Sequence, residues 1–186
     1  MIESDAHLLA RTAAGDRQAF TTFVGRHQAA AFRYLRNLTR HGADAEDALQ
    51  ETFLAVWRSA SSFAGTDSAR GWLLTIARHA ASRLRRRRVG EPDRFESIEA
   101  IGLEAGWGEI PSPDVELERM SRRELIERAL AALPDAERET VVLRDLESLP
   151  GEQVAELTGV SVAAMKSRLH RGRLRLAALL KESSHG

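Results

Sequence analysis

The sequence predicts an all-α protein, two helical modules joined by a flexible acidic linker. Three observations predict it. Apolar residues recur at intervals of three and four through both halves, and no stretch of useful length alternates in the manner of a strand. Between them, residues 89–113 (VGEPDRFESIEAIGLEAGWGEIPSP) carry Gly and Pro at intervals and hold no period. Their acids Glu91, Asp93, Glu96, Glu99, Glu104 and Glu109 oppose only Arg94, the composition of a linker. The expected domains are therefore 1–88, the linker 89–113, and 114–186.

In the first module, Phe20, Phe23, Val24, Ala31, Leu35 and Leu38 line one face of a helix from Asp16 to about Arg40. Asp16 is the expected N-cap, because its carboxylate can accept from a backbone N–H that the helix leaves unpaired. The next helix is DAEDALQETFLAVWRS. Asp44 can cap it, Ala48, Leu49, Thr52, Phe53 and Val56 form one face, and Asp47, Gln50, Glu51 and Leu54 form the other. SSFAGTDS reads as a loop. Ser68 then caps ARGWLLTIARHAASRLRRRR, whose inward residues are Trp72, Leu73, Ile76, Ala77, Ala80 and Leu84.

The second module resumes the helical period near Asp114. Leu117, Met120, Leu125, Ile126, Ala129 and Leu133 define one helix, and Pro134 opens another that carries Val141, Val142 and Leu146. From Gly151 to about Leu176 the chain has helix-turn-helix spacing. Ala155 is small where two helices cross, Gly159 suits a left-handed turn, and Ser161 caps the second helix. Val154, Leu157, Val160, Met165 and Leu169 fill the space between the helices.

Within SVAAMKSRLHRGRLRL, Val162, Met165, Leu169 and Leu176 form a seam in which Gly172 takes one place. Lys166, Arg168, Arg171, Arg173 and Arg175 surround it with no acid among them. A helix about 10–12 Å across fits a major groove roughly 12 Å wide, so DNA phosphate is the favoured anion, with base edges also read. The alternative is an acidic protein surface.

Composition excludes several classes. There is no cysteine, so disulfides and cysteine zinc sites are ruled out, and the six histidines are scattered, so no metal is expected. HExxH, GxxxxGK and G-x-S-x-G are all absent; the expectation is no catalytic residue, no enzyme activity and no cofactor. The 27 basic and 27 acidic residues cancel, so only their distribution bears on partners. Acids near the N-terminus, and no run of about 20 apolar residues, point to a cytoplasmic protein without membrane insertion.

DAEDALQETFLAVWRS, with SSFAG and ARGWLLTIARHAASRLRRR after it, resembles region 2 of the extracytoplasmic-function sigma factors of bacterial RNA polymerase (sigma-70 family, group 4). LPDAERETVVLRDLESLPGEQVAELTGVSVAAMKSRLHRGRLRL resembles region 4 of the same family. The two motifs stand in the family's order and cover nearly the whole chain. The resemblance implies a promoter-specificity subunit. Region 2 would bind the clamp helices of the polymerase's largest subunit through Asp47, Gln50, Glu51 and Leu54. It would also assist melting of the −10 element through Ser61, Ser62, Phe63, Ala64, Gly65 and Thr66, and through Arg78, His79, Ser82 and Arg83. The family often carries asparagine at the position of His79.

Region 4 would bind the flap of the second-largest subunit and the −35 element. Lys166, Ser167 and His170 would face bases, while Arg168, Arg171 and Arg173 would lie near phosphates. At the end of region 2, Arg83 with Arg85 to Arg88 would add DNA-backbone contact. An anti-sigma protein is a further implied partner. The competing function is a two-module helix-turn-helix regulator that binds DNA without core polymerase; free-protein promoter binding would distinguish it.

Overall fold

The computed structural model describes residues 3–39, 42–65, 68–87 and 123–183. The linker read at 89–113, together with Thr66, Arg88, Leu117 and Met120, lies outside those residues. Among the described residues every regular element is helical. The chain divides into two compact units, Met1–Arg94 and Phe95–Gly186.

The first unit begins with a helix that the periodicity did not disclose. α1 (Asp5–Ala13) is capped by Ser4, whose Oγ accepts from the His7 N–H at 3.3 Å. With Leu8 and Leu9 as its only leucines it is too short to show a period, yet both are fully buried. Gly15, at φ 91°, turns the chain into α2 (Arg17–Leu38). Asp16 caps α2, as expected, accepting from the N–H groups of Gln18 (2.9 Å) and Ala19 (3.1 Å).

Arg11 donates to Asp16 through Nε at 2.9 Å and to Glu3 through Nη1 at 3.0 Å, tying α1 to the start of α2. The Ala19 N–H first, and Arg11 next, hold the Asp16 carboxyl below its ordinary value of 3.8. Its stabilising effect is therefore complete at neutral pH and is lost only as pH falls below that value. A second tie joins Asp5 to His27 Nε2 at 2.8 Å and to Arg26 Nη1 at 2.9 Å.

α3 (Gly42–Ser59) starts before Asp44, so that carboxylate sits in the first turn rather than at the cap; it still faces the positive end of the helix. A 3₁₀ turn, Ala60–Ser62, follows. Ser68 caps α4 (Ala69–Arg87), accepting from the Gly71 N–H at 3.3 Å. Leu8, Leu9, Phe23, Ala31, Val56 and Leu73 meet in one core. Phe20 stands edge-on to Trp57 at 5.1 Å and to Phe53 at 6.5 Å, closing the side where α2 meets α3.

The second unit opens with α5, helical over 123–131. Ala129, Leu130 and Leu133 are buried at its end, but Ile126 is 41% exposed despite its spacing. Periodicity identifies the face of a helix; among the described residues of α5 Leu125 is half-buried and the fully buried positions fall in the last turn. Pro134 is the N-cap of α6 (Asp135–Val141), not its first residue, and its carbonyl accepts from Glu137 and Arg138.

α6 runs into a π-helical turn, Val142–Leu146, closed by the Glu147 N–H on the Val142 carbonyl at 2.9 Å. The wider turn shifts the register. Val141 and Val142 stay buried, Leu143 and Leu149 join them, and Leu146, expected inside, is 41% exposed.

α7 (Gly151–Thr158) ends at Gly159 in the left-handed region, φ 70° and ψ 36°, which is the turn the sequence indicated. Ser161 caps α8 (Val162–Ser183) through the Ala164 N–H at 3.2 Å. Met165 and Leu169 enter the core beside Val154 and Ala155. Gly172 is buried against α6: a Cβ there would lie 2.8 Å from Val141 Cγ2 and 3.3 Å from the Glu137 carbonyl oxygen.

Gly172→Ala sets two effects against each other. Alanine favours a helix interior by about 1 kcal/mol over glycine, whereas overpacking costs about 1–3 kcal/mol. A β-branched valine and a backbone carbonyl yield little, so the expected result is a net loss of about 1 kcal/mol. Urea unfolding of the full chain, with hydrogen exchange read in α6 and α8, measures it; a gain in stability would contradict the close crossing.

Candidate nucleic-acid interface

Gly172 fixes which side of α8 is inward. At 100° per residue, Lys166, Ser167 and His170 fall opposite it, and Arg171 and Arg173 flank it. Lys166, Ser167 and His170 are exposed accordingly, while Arg168, nearer the inward side, is half-buried.

The flanking arginines are not bare. Glu137 on α6 has a side chain only 8% exposed, and it receives Arg171 Nε on Oε1 at 3.1 Å and Arg175 Nη1 on Oε2 at 2.6 Å. On the other flank Asp145 takes Arg173 through Nε at 2.9 Å and Nη2 at 2.5 Å. The Asp145 carboxylate holds the Arg173 guanidinium more firmly protonated than an isolated arginine. Arg171 Nη1 also donates to Ser167 Oγ at 2.7 Å, so the serine hydroxyl is oriented before any ligand arrives. The stretch Ser161–Leu176 holds no acid of its own; both carboxylates come from the helical segment Asp135–Leu146. The spacing of Glu137 and Asp145 along that segment was visible, but the π turn that carries Asp145 was not.

In the first unit, Asp47, Gln50 and Leu54 are exposed on α3, with Leu54 at 55%, and Glu51 is half-buried. Across from them, α4 exposes His79 and Arg83 and half-buries Arg78 and Ser82. Arg83 Nη2 lies 3.6 Å from Glu51 Oε2, and Ser82 Oγ accepts from Arg86 at 2.9 Å. Ser61, Ser62, Ala64 and Gly65 are exposed beside α4, with Gly65 at φ 75°. Ser62 Oγ donates to the Ser59 carbonyl at 2.7 Å, and the Phe63 N–H bonds the Ala60 carbonyl at 3.2 Å, so the 3₁₀ turn is pinned. Phe63 leans on Trp72, ring centroids 5.5 Å apart, and both pack against the core. The two aromatics thus support the loop from beneath.

Among the described residues no cluster of His, Asp and Glu is arranged to hold a metal ion, and no helix is long and apolar enough to cross a membrane.

Comparison with known proteins matches residues 23–90 to the sigma-70 region 2 family and residues 123–176 to the sigma-70 region 4 family. The chain is 34% identical over 178 residues to the ECF RNA polymerase sigma factor SigM of Mycobacterium tuberculosis (strain ATCC 25618 / H37Rv), covering 95% of this chain and 85% of SigM. It is 36% identical over 169 residues to the RNA polymerase sigma factor CarQ of Myxococcus xanthus, covering 90% and 92%. Among solved structures it is similar to CnrH, known from Cupriavidus metallidurans, in complex with the cytosolic domain of CnrY. That match has a TM-score of 0.68 at 27% identity and covers 97% of this chain and 99% of the other. Both sigma regions are present in order and relatives above 30% identity span nearly the full length, so the chain belongs to the ECF sigma factors of the sigma-70 family, which direct RNA polymerase to promoters.

Proposed function

We propose that this sigma factor divides its work between its units, 1–88 binding core polymerase and the −10 element and 114–186 binding the −35 element. The observation that carries the second assignment is the arrangement on α8, where Lys166, Ser167 and His170 lie opposite the buried Gly172 and so point away from their own core. Such a helix can enter a major groove and present donors to base edges. Lys166 is the first candidate for guanine O6 and N7, and Arg168, Arg171 and Arg173 would contribute through phosphates.

For the first unit, the exposed row Asp47, Gln50 and Leu54, with Glu51 beside it, supports a polymerase-binding face of mixed acidic and apolar character on the largest-subunit clamp helices. Ser61 to Gly65, Thr66 next in the sequence, and Arg78, His79, Ser82 and Arg83 would receive the −10 bases as they leave the duplex. Unstacking a base costs a few kcal/mol, and a pinned polar loop offers hydrogen-bond partners without reorganising. Region 4 would also meet the flap of the second-largest subunit. An anti-sigma protein is the regulator we propose, and a relative, CnrH, solved with a bound protein supports a partner of that kind.

Reversing the charge of the α3 face with Asp47→Lys and Glu51→Lys should weaken association with core polymerase while the fold persists, since surface substitutions of this kind alter stability by about 0.5 kcal/mol or less. A pull-down with purified core, controlled by circular dichroism, measures it. Undiminished core affinity would remove the assignment.

Lys166→Ala should relax preference at one or two base pairs of the −35 element, by about 1–3 kcal/mol each, and leave other positions in rank. Holoenzyme binding to a saturated −35 library reads this directly. An equal loss across all sequences would make Lys166 a phosphate contact instead.

A further inference from the structure

The carboxylates on either flank of α8 stand where a DNA-binding helix gains least from them. A helix that bound DNA by charge alone would be strengthened by removing both. Glu137 is nearly buried and receives two guanidiniums; Asp145 receives one by a two-point fork. Each arginine has five N–H donors in a rigid plane. Arg173 spends Nε and one Nη2 hydrogen on Asp145, and Arg171 spends Nε on Glu137 and one Nη1 hydrogen on Ser167. The remaining edge of each guanidinium therefore points in a direction set by the protein, and its charge is partly offset.

We propose that Glu137 and Asp145 are specificity-determining positioning residues: they aim Arg171, Arg173 and Arg175 and lower the attraction of α8 for unrelated DNA. The proposal rests on the reading of α8 as the −35 helix. A mobile, unpaired arginine finds a phosphate on any duplex and adds equally to all of them. A clamped arginine adds only where a phosphate meets its free edge, which occurs when α8 is seated in register. The net effect is to spread the ratio between the correct site and the rest. Lys166 and His170, exposed and without an ion pair to another described residue, carry no such counter-charge.

Asp145→Asn is the informative variant. It keeps an oxygen that Arg173 can bond, removes the charge, and alters a pair that is substantially exposed, with side chains 56% and 30% accessible, so folding is not at stake. Holoenzyme made with the variant is titrated against a −35 promoter fragment and against a scrambled duplex, over a range of salt. The expected result is a gain of about two- to fivefold for the scrambled duplex, a smaller gain for the promoter, and a salt slope steeper by about 0.9 for the phosphate contact released. Glu137→Gln should act in the same direction on the slope. A scaffold role alone would lower both affinities or leave the slope unmoved, and either outcome overturns the proposal. Lys166→Ala separates the two levels. If it relaxes base preference while Asp145→Asn does nothing, the −35 reading stands and the counter-charge proposal fails. If neither variant changes any DNA binding, the −35 reading itself has failed.

Discussion

The second unit is organised around one close crossing, in which α8 lies against α6 at Gly172 and Glu137 answers the approach with two guanidiniums. The missing side chain at Gly172 lets Val141 and the Glu137 carbonyl sit where a Cβ would be. With the helices that near, a short carboxylate side chain reaches both Arg171 and Arg175, one turn apart on α8. A nearly buried carboxylate left without these partners would be strongly destabilising, so the pairs and the packing depend on each other. What results is a basic helix held at fixed rotation, with Lys166, Ser167 and His170 outward.

The first unit carries a looser ion pair. Glu51 and Arg83, proposed for different partners, lie 3.6 Å apart, and both remain partly exposed. A pair of that kind is worth at most about 1 kcal/mol. Such a pair can part when a better-placed ion is offered. The firmer constraints sit elsewhere, in the Arg11 bridge between Glu3 and Asp16 and in the aromatic contact of Phe63 with Trp72 beneath the loop.

Much of this was legible in the residues. The Asp16, Ser68 and Ser161 caps, the Gly159 turn, and the outward row on α3 all follow from local chemistry, and each stands in the structure where spacing put it. Other features did not follow, beyond the places of Asp44 and Pro134 and the exposure of Ile126. α1 is too short to display a period, and its burial is decided by neighbours that the sequence does not name. The π turn after Val141 changes the register within a single helix, exposing Leu146 and burying Leu143, and no propensity rule announces it. The carboxylates that meet the arginines of α8 lie 28 to 38 residues away along the chain, a separation that composition along one helix cannot bridge. Gly172 was visible only as a gap in a seam; its meaning lay in what packs against it.

The most direct test of the crossing is a double-mutant cycle on the full chain, Glu137→Gln with Arg171→Gln, read by urea unfolding of the second unit. Independent residues add within about 0.3–0.5 kcal/mol, whereas residues in one ion-pair network couple by about 0.5–3 kcal/mol. The Glu137 clamp predicts a coupling of at least about 1 kcal/mol, with the arginine change doing little harm once the carboxylate is gone. Simple additivity would show that Glu137 and Arg171 act separately, and that the rotation of α8 is set without them.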